Sequence, residues 1–132
     1  MDTLPEYTRH LKIDDRGLDE RGYYCLRVAL EDIHLSRARQ VHGGMLFTLL
    51  DAAMGRVAMS QLGGDFFCPT VEMKINYFRP AATGVLRAHA WVVNTSRQLL
   101  YAEGEILGDR DQLIARASGT FFIKPRDSFV NS

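Results

Sequence analysis

The sequence predicts an α+β fold in which one long helix lies across an antiparallel sheet of five or six strands. Two observations carry this prediction. Only residues 43–62 show sustained helical periodicity. Every stretch after Gly64 is instead rich in β-forming residues, and short turn-like links separate these stretches. Because a sheet with one apolar face needs a covering layer, a single helix packed on it is the expected arrangement.

The amino-terminal part predicts one short helix and one strand. Residues 5–11 suit a short helix, since Pro5 is tolerated in a first turn. The segment GLDERG at 17–22 is turn-like, and the strand GYYCLRVALE follows at 22–31. Residues 33–40, IHLSRARQ, are polar without a period and are interpreted as a loop.

The long helix has an apolar stripe on one face. At about 100° per residue, the residues on this stripe are Leu46, Leu50, Ala53, Met54 and Val57. Arg56 falls on the opposite side, which predicts a solvated face. Asp51 projects to the flank of the stripe, and Gly63-Gly64 provides the glycine that commonly ends a helix.

Four extended segments follow the helix, at 66–78, 85–93, 99–107 and 113–123. Short links between long strands predict an antiparallel meander. One helix is narrow for so many strands, so the sheet edges predict a dimer whose sheets continue each other. We expect a single domain over 1–132 with a core at about 23–124 and a frayed tail at 125–132.

Composition excludes several classes of protein. Sixteen basic residues balance sixteen acidic ones, which does not favour nucleic acid or an anionic membrane as a partner. No apolar run approaches the ~20 residues needed to span a bilayer, and the start lacks the pattern of a secretory signal. Cys25 and Cys68 are far apart and in no metal-like spacing, so we expect no disulfide framework and a cytoplasmic location.

The start of the long helix predicts a site that holds a carbonyl group. A helix start exposes free N–H groups, and a glycine there lets a substrate oxygen approach the main chain. His42-Gly43-Gly44 therefore suits stabilisation of developing negative charge. Asp51 lies about 12 Å along the helix from Gly43, too far for one reacting group to touch both within a chain. In a two-fold dimer, the aspartate of one chain could face the glycine turn of the other.

Each of these features also has a common structural explanation. Gly-Gly before a helix is usually only a tight turn, a single Asp in a helix is usually solvated or a cap, and a lone His is usually a loop residue. Their joint placement before a predicted sheet favours a functional site.

The combination resembles the signature of the hotdog-fold acyl-CoA thioesterases. The nearest branch is PaaI-like, the phenylacetate-pathway thioesterases of the 4-hydroxybenzoyl-CoA thioesterase superfamily. The residues that carry the resemblance are His42-Gly43-Gly44, Leu46, Leu50, Asp51, Gly55 and the strand PTVEMKINYFRPA at 69–81. It extends over roughly Tyr23 to Lys124. It implies a hydrolase of aryl or fatty acyl-CoA with a sheet wrapped around the helix, in a homodimer or a dimer of dimers.

The resemblance also implies roles for individual residues. The Gly43 amide would polarise the thioester carbonyl, with Gly44 beside it in the same substrate-binding turn. Asp51 of the partner subunit would activate water or attack the carbonyl directly. Thr70 would position the attacking water, and His42 would orient the turn or contact the substrate. No metal or redox cofactor is implied, because coenzyme A enters as part of the substrate.

One position departs from the family pattern. The family commonly has Asn or Gln six residues before the His, and Ser36 stands there, followed by Arg37-Ala38-Arg39 in place of an intervening Gly. Ser36 can donate a hydrogen bond but has a shorter reach, and Gln40 is close enough to substitute. This departure bears on rate and substrate preference more than on fold.

The substrate pocket is predicted only in outline. Phe47 and Met54 of the helix would line an apolar acyl pocket, for an aryl or a long alkyl group. The basic residues expected to meet the coenzyme A phosphates are Arg37, Arg39, Arg79 and Arg97, and three aromatic residues suit either pocket or core, Phe66, Phe67 and Phe78.

Two other functions remain open from the sequence. A non-catalytic acyl-CoA binding module gains from the Ser36 departure and loses from the retention of Asp51. A hotdog hydratase or dehydratase usually opens its helix with His-Phe-Pro-Gly, which is absent here. There is also no Gly-x-Ser-x-Gly elbow and no phosphate-binding or dinucleotide glycine motif.

Overall fold

The computed structural model describes residues 3–127 and shows one long helix packed on a six-stranded antiparallel sheet. The elements are α1 (Glu6–His10), β1 (Asp14–Leu18), β2 (Tyr24–Ala29), a 3₁₀ turn (Asp32–His34), α2 (Gly43–Leu62), β3 (Phe66–Phe67), β4 (Thr70–Tyr77), β5 (Val85–Thr95), β6 (Leu99–Leu107), β7 (Leu113–Phe122) and β8 (Lys124–Pro125). The predicted α+β fold is therefore confirmed, with six strands in the main sheet.

The sheet is not the four-stranded meander that the sequence predicts. Its strand order is β1-β2-β5-β6-β7-β4, so only β5, β6 and β7 form a meander. Strand β4 pairs with β7 and ends the sheet, and residues 78–84 carry the chain from that edge back to β5. The link is tied to the helix start by a hydrogen bond from Val41 N to Ala81 O. A link's composition indicates that the chain turns, but not which strand it turns towards.

Two strand boundaries differ from the prediction. The segment 66–78 divides at Pro69, and its first part, β3, pairs with β8 instead of joining the main sheet. Strand β1 includes residues 17–18, which were predicted as turn. Its register shifts between Asp15 and Gly17, and Gly17 has a φ of 72°, so a bulge explains the turn-like composition.

The predicted frayed tail is described only in part. Its residues 128–132 lie outside the described residues. Before them, Pro125 is opposite Phe66 in the β3–β8 pair, and Arg126 N donates to Asp65 O at 2.8 Å. The described start of the tail is therefore held against the strand that follows α2.

Helix α2 begins and ends where the sequence predicts. His42 is its N-cap and Gly63, with a φ of 86°, is its C-cap. All the predicted stripe residues are buried against the sheet, and each fully buried Leu or Met stabilises the fold by roughly 1.5–3 kcal/mol. Gly104 of β6 allows the close approach, because a Cβ there would lie 3.1 Å from Leu50 Cδ2 and 3.2 Å from His89 O.

The prediction of a solvated helix face at Arg56 is wrong. Arg56 is only 8% exposed, and its Nη2 lies 3.6 Å from Asp15 Oδ2 of β1. Leu4 and Thr8, from the amino-terminal segment, share a cavity wall with it. Helical periodicity within α2 cannot reveal this second layer of chain.

No helix within residues 3–127 is long and apolar enough to cross a membrane. The same part of the chain holds no group of three or more His, Cys, Asp or Glu side chains arranged to bind a metal ion.

Candidate functional site

The start of α2 leaves a single N–H group free. Its first four N–H groups belong to Gly43, Gly44, Met45 and Leu46. Gly44 N donates to His42 Nδ1 at 2.8 Å, and the N–H groups of Met45 and Leu46 both donate to His42 O. Gly43 N donates to no acceptor in the described chain. One unpaired donor therefore remains at the positive end of the helix dipole.

His42 orients this turn through its ring. Because Nδ1 accepts from Gly44, the neutral ring carries its proton on Nε2. A Cβ on Gly44 would lie 3.0 Å from His42 Nδ1, so the second glycine makes room for the imidazole cap. This hydrogen bond is consistent with the first of the two roles predicted for His42, orientation of the turn.

The free amide lies beside a cavity of about 390 Å³. Tyr77, the last residue of β4, donates from its hydroxyl to Gly43 O at 3.0 Å. A Cβ on Gly43 would lie 3.4 Å from Tyr77 Cζ, so a glycine suits this contact. Gln40 and Arg79 also line the cavity. We call this group, Gly43 with Gln40, Tyr77 and Arg79, the glycine half-site.

Asp51 and Thr70 meet at a second place. Thr70, the first residue of β4, donates from Oγ1 to Asp51 Oδ1 at 2.7 Å. Asp51 is partly buried on the flank of α2, as predicted. The hydrogen bond fixes one carboxylate oxygen and leaves Oδ2 for another partner. The sequence predicted both residues as site residues, and the structure brings them into contact.

The Asp51 cavity is the larger of the two, with a volume of about 660 Å³. Phe47, predicted to line the acyl pocket, forms part of its wall and is 39% exposed. Cys68 also lines it, and burial raises the pKa of the Cys68 thiol, so the thiol stays neutral near pH 7. We call Asp51 and Thr70, with this cavity, the aspartate half-site.

The two half-sites are separate within one chain. Their cavities have no lining residue in common among the described residues. Gly43 and Asp51 are eight residues apart on α2, about 12 Å of rise. A single chain therefore does not bring the free amide and the carboxylate to one small group.

Both half-sites nevertheless border the same edge strand. Thr70 begins β4 and Tyr77 ends it, so the strand has a contact to the aspartate half-site at one end and to the glycine half-site at the other. In the part of the chain that the structure describes, only one side of β4 is paired, to β7. The apolar residues Val71 and Phe78 are 46% and 55% exposed at this edge.

Ser36 stands where the family commonly has Asn or Gln, and the nearby Gln40 was its predicted substitute; the two residues have different surroundings. Ser36 Oγ accepts from Ala38 N at 3.2 Å and Ser36 N donates to Gln40 O at 2.7 Å, so this serine shapes its own loop. Gln40 lines the glycine cavity and Ser36 does not. Of the two residues, Gln40 is therefore the one that borders the cavity beside Gly43.

Other predicted residues lie away from the site. Met54 was predicted to line the acyl pocket, but it is fully buried between α2 and the sheet, because it sits at the centre of the apolar stripe. Of the four arginines, only Arg79 lines a half-site. Arg39 instead pairs with Asp32 at 2.9 Å, and Arg37 and Arg97 are exposed and line neither cavity.

Two site residues were missed by the sequence analysis. Tyr77 was assigned only to a strand, because the sequence of β4 gives no signal that the Tyr77 hydroxyl reaches Gly43. Arg56 lines the aspartate cavity but was assigned to solvent. At about 100° per residue, Arg56 lies about 140° around α2 from Asp51, so helical periodicity gives no signal that the two residues border one cavity.

Solved structures with this architecture include several bacterial proteins. The conserved protein PA5202 of Pseudomonas aeruginosa is 33% identical, with a TM-score of 0.86 over 91% of this chain and 94% of that one. A candidate thioesterase of Ralstonia eutropha, related to phenylacetic acid degradation, is 28% identical, with a TM-score of 0.83 over 92% of each chain. The BH2602 protein of Bacillus halodurans, solved with CoA, is 28% identical, with a TM-score of 0.85 over 93% and 81% of the two chains.

These likenesses define the class. The solved structures match about nine-tenths of this chain. The long helix packed on a six-stranded antiparallel sheet is therefore a hotdog fold of the PaaI-like type. A sequence profile of the thioesterase superfamily matches residues 40–115, which include Gly43, Asp51 and Thr70. The chain belongs to the thioesterase superfamily and is a thioesterase.

Proposed function

We propose that the protein hydrolyses an acyl-CoA to the free acid and coenzyme A, at a site completed by a second copy of the chain. The observation that carries this proposal is the division of the free Gly43 amide and the Asp51 carboxylate between opposite ends of β4. Neither half-site alone has both an electrophile-polarising donor and a base. A thioester hydrolase needs both at one carbonyl.

Antiparallel pairing of β4 with its own copy would join the half-sites. A two-fold axis between the two β4 strands, level with their midpoints, places the first residue of each strand opposite the last residue of the other. Thr70 of one protomer then lies near Tyr77 of the other, and Asp51 near Gly43. The unpaired edge of β4 and its exposed apolar residues support this interface. Two equivalent sites result for each dimer.

The proposed reaction uses groups of the chain itself. The Gly43 N–H, aided by the helix dipole, hydrogen-bonds the thioester oxygen and stabilises its negative charge. Asp51 takes a proton from water through Oδ2 while the water oxygen attacks the carbonyl carbon. The C–S bond then breaks, and the departing thiolate takes up the proton that Asp51 removed from water, which gives free coenzyme A and restores the Asp51 carboxylate. Thr70 holds the carboxylate in register through Oδ1.

The remaining groups fit substrate positioning. Gln40 supplies a side-chain amide beside Gly43, where it can hydrogen-bond the carbonyl or the attacking water. Arg79, an exposed residue that lines the same cavity, suits a coenzyme A phosphate. Phe47 and its neighbours receive the acyl group. The scheme requires no metal or redox cofactor.

The direct test measures thiol release from a panel of aryl and alkyl acyl-CoAs. We expect hydrolysis by the wild type and a loss of at least ~100-fold in kcat for Asp51→Asn, the range for removal of a base. Asp65→Asn is the matched control, because Asp65 is exposed and lines neither half-site. Two results would contradict the proposal. One is acyl-CoA binding without thiol release, and the other is hydration of an enoyl-CoA, measured by the change in its ultraviolet absorbance.

A further inference from the structure

The wall of the aspartate cavity contains a buried positive charge that the proposed reaction does not use. Arg56 lines this cavity and is 8% exposed. Its Nη2 has no hydrogen-bond partner within residues 3–127, and Asp15 Oδ2 lies 3.6 Å away. Burial of a guanidinium costs free energy that direct hydrogen bonds to an anion normally offset.

Asp15 offsets this cost only in part, because 3.6 Å from Nη2 to Oδ2 is longer than a hydrogen bond. The Tyr24 hydroxyl donates to both, at 2.7 and 2.8 Å, and Gly17 N donates to Oδ1 at 3.0 Å. Desolvation, and then the hydrogen bond to Asp15, raise the pKa of Tyr24 above its ordinary value of 10.0, so the phenol keeps its proton. Asp15 is therefore oriented by Tyr24 and the β1 backbone, and Arg56 retains unused donors.

The cavity separates its two charges along α2. Among the lining residues within 3–127, only Asp51 and Arg56 are charged. They are five residues apart, about 7.5 Å of rise along the helix. Ala52, Gly55 and Met59 give the wall near them an apolar character. The cavity thus has a carboxylate where the thioester would react, apolar residues in its wall, and a buried arginine about 7.5 Å of rise away along the helix.

We infer that Arg56 binds a carboxylate at the distal end of the acyl group, so that the substrates are coenzyme A monothioesters of dicarboxylic acids. This inference rests on the proposed function, which places the thioester carbonyl beside Asp51. A guanidinium matches a carboxylate with paired N–H donors, and the pair is strong when water is excluded. An alkyl chain in the same place would leave the buried Arg56 charge without an additional partner.

Matched substrate pairs test this assignment on the intact protein. Each pair compares a dicarboxylic monothioester with the alkanoyl-CoA of equal length, from succinyl against butyryl to suberyl against octanoyl. We expect kcat/KM to favour the carboxylated member of at least one pair by about tenfold or more, as for a hydrogen bond to a charged group. Arg56→Gln should reduce this ratio to about one, and Arg56→Lys should keep part of it. Arg97→Gln, at an exposed arginine, should keep all of it.

The outcomes that overturn the inference are distinct from failure of the proposed function. Equal kcat/KM within every pair for the wild type overturns it even if no Arg56 variant folds. A loss in Arg56→Gln that is equal for both members of a pair also overturns it, because it shows a structural role. Absence of thiol release from every acyl-CoA overturns the proposed function together with the inference.

Discussion

Thr70 Oγ1 donates a 2.7 Å hydrogen bond to Asp51 Oδ1, which links the edge strand of the sheet to the flank of the long helix. The bond fixes the orientation of a carboxylate whose position on a helix would otherwise leave its rotamer free. It also gives the free edge of β4 a direct connection to the proposed chemistry. A shift of Thr70 at this edge would therefore alter the hydrogen bond that orients Asp51.

Removal of the Thr70 hydroxyl should lower turnover without unfolding the protein. Thr70 is exposed, so we expect Thr70→Val to retain the melting temperature to within a few degrees. Its kcat should fall by about 10- to 100-fold, the equivalent of one hydrogen bond to a charged group. Thr70→Ser, which keeps the hydroxyl, is the control. Equal kcat values for Thr70→Val and the wild type would remove the hydroxyl from the mechanism.

Isotope labelling should show that Asp51 acts on water. If Asp51 is a base, turnover in H₂¹⁸O puts the label in the product acid and leaves the Asp51 carboxylate unlabelled. If Asp51 attacks the carbonyl, hydrolysis of the resulting anhydride can transfer label to Asp51. Mass spectrometry of the peptide that contains Asp51, after many turnovers, distinguishes the two routes. Label in that peptide would contradict the base assignment.

The ring of His42 should contribute to stability as a helix cap. His42→Ala removes the acceptor for Gly44 N, and we expect a loss of about 0.5–2 kcal/mol in the free energy of unfolding. His42→Asn restores a side-chain acceptor at the same position and should recover most of this loss. Urea unfolding followed by circular dichroism measures both. Unchanged stability in His42→Ala would show that the ring does not cap the helix.

A second histidine should make stability depend on pH. Burial, and next the positive charge of Arg21, lower the pKa of His89 below its ordinary value of 6.5, although Glu105 acts in the opposite direction. The unfolded state therefore binds a proton more readily, so stability should fall as the pH drops below 6.5 towards the folded-state pKa. His89→Gln should flatten the melting temperature against pH in this range. A curve identical to that of the wild type would contradict the assignment.

The sequence predicts the helix and most strands because those patterns are local. The bounds of α2 follow from the apolar stripe on the 20 residues between His42 and Gly63. The alternation of residues in β6 marks the buried face of that strand. The pairing of β4 with β7 could not be predicted, because strand order depends on contacts between segments distant in the chain. The same reason hid the burial of Arg56 against Asp15.

The residues of the candidate site were likewise predictable only where they stand in a local sequence motif. Gly43, Asp51 and Thr70 stand in a recognisable motif, and the 12 Å of rise between the first two, about eight residues of helix, already argued for two chains. Tyr77 and Arg56 belong to no motif. They join the site only because β4 and α2 present them to the two cavities.

A purified heterodimer of two inactive subunits tests the central claim most directly. One subunit carries Asp51→Asn and the other Gly43→Val, with different affinity tags. If each site combines Asp51 of one chain with Gly43 of the other, one site of the heterodimer is intact, and it should hydrolyse acyl-CoA at about half the wild-type rate while both homodimers stay inactive. A verified heterodimer as inactive as its parents would contradict the shared site, because every site would then carry one of the two lesions.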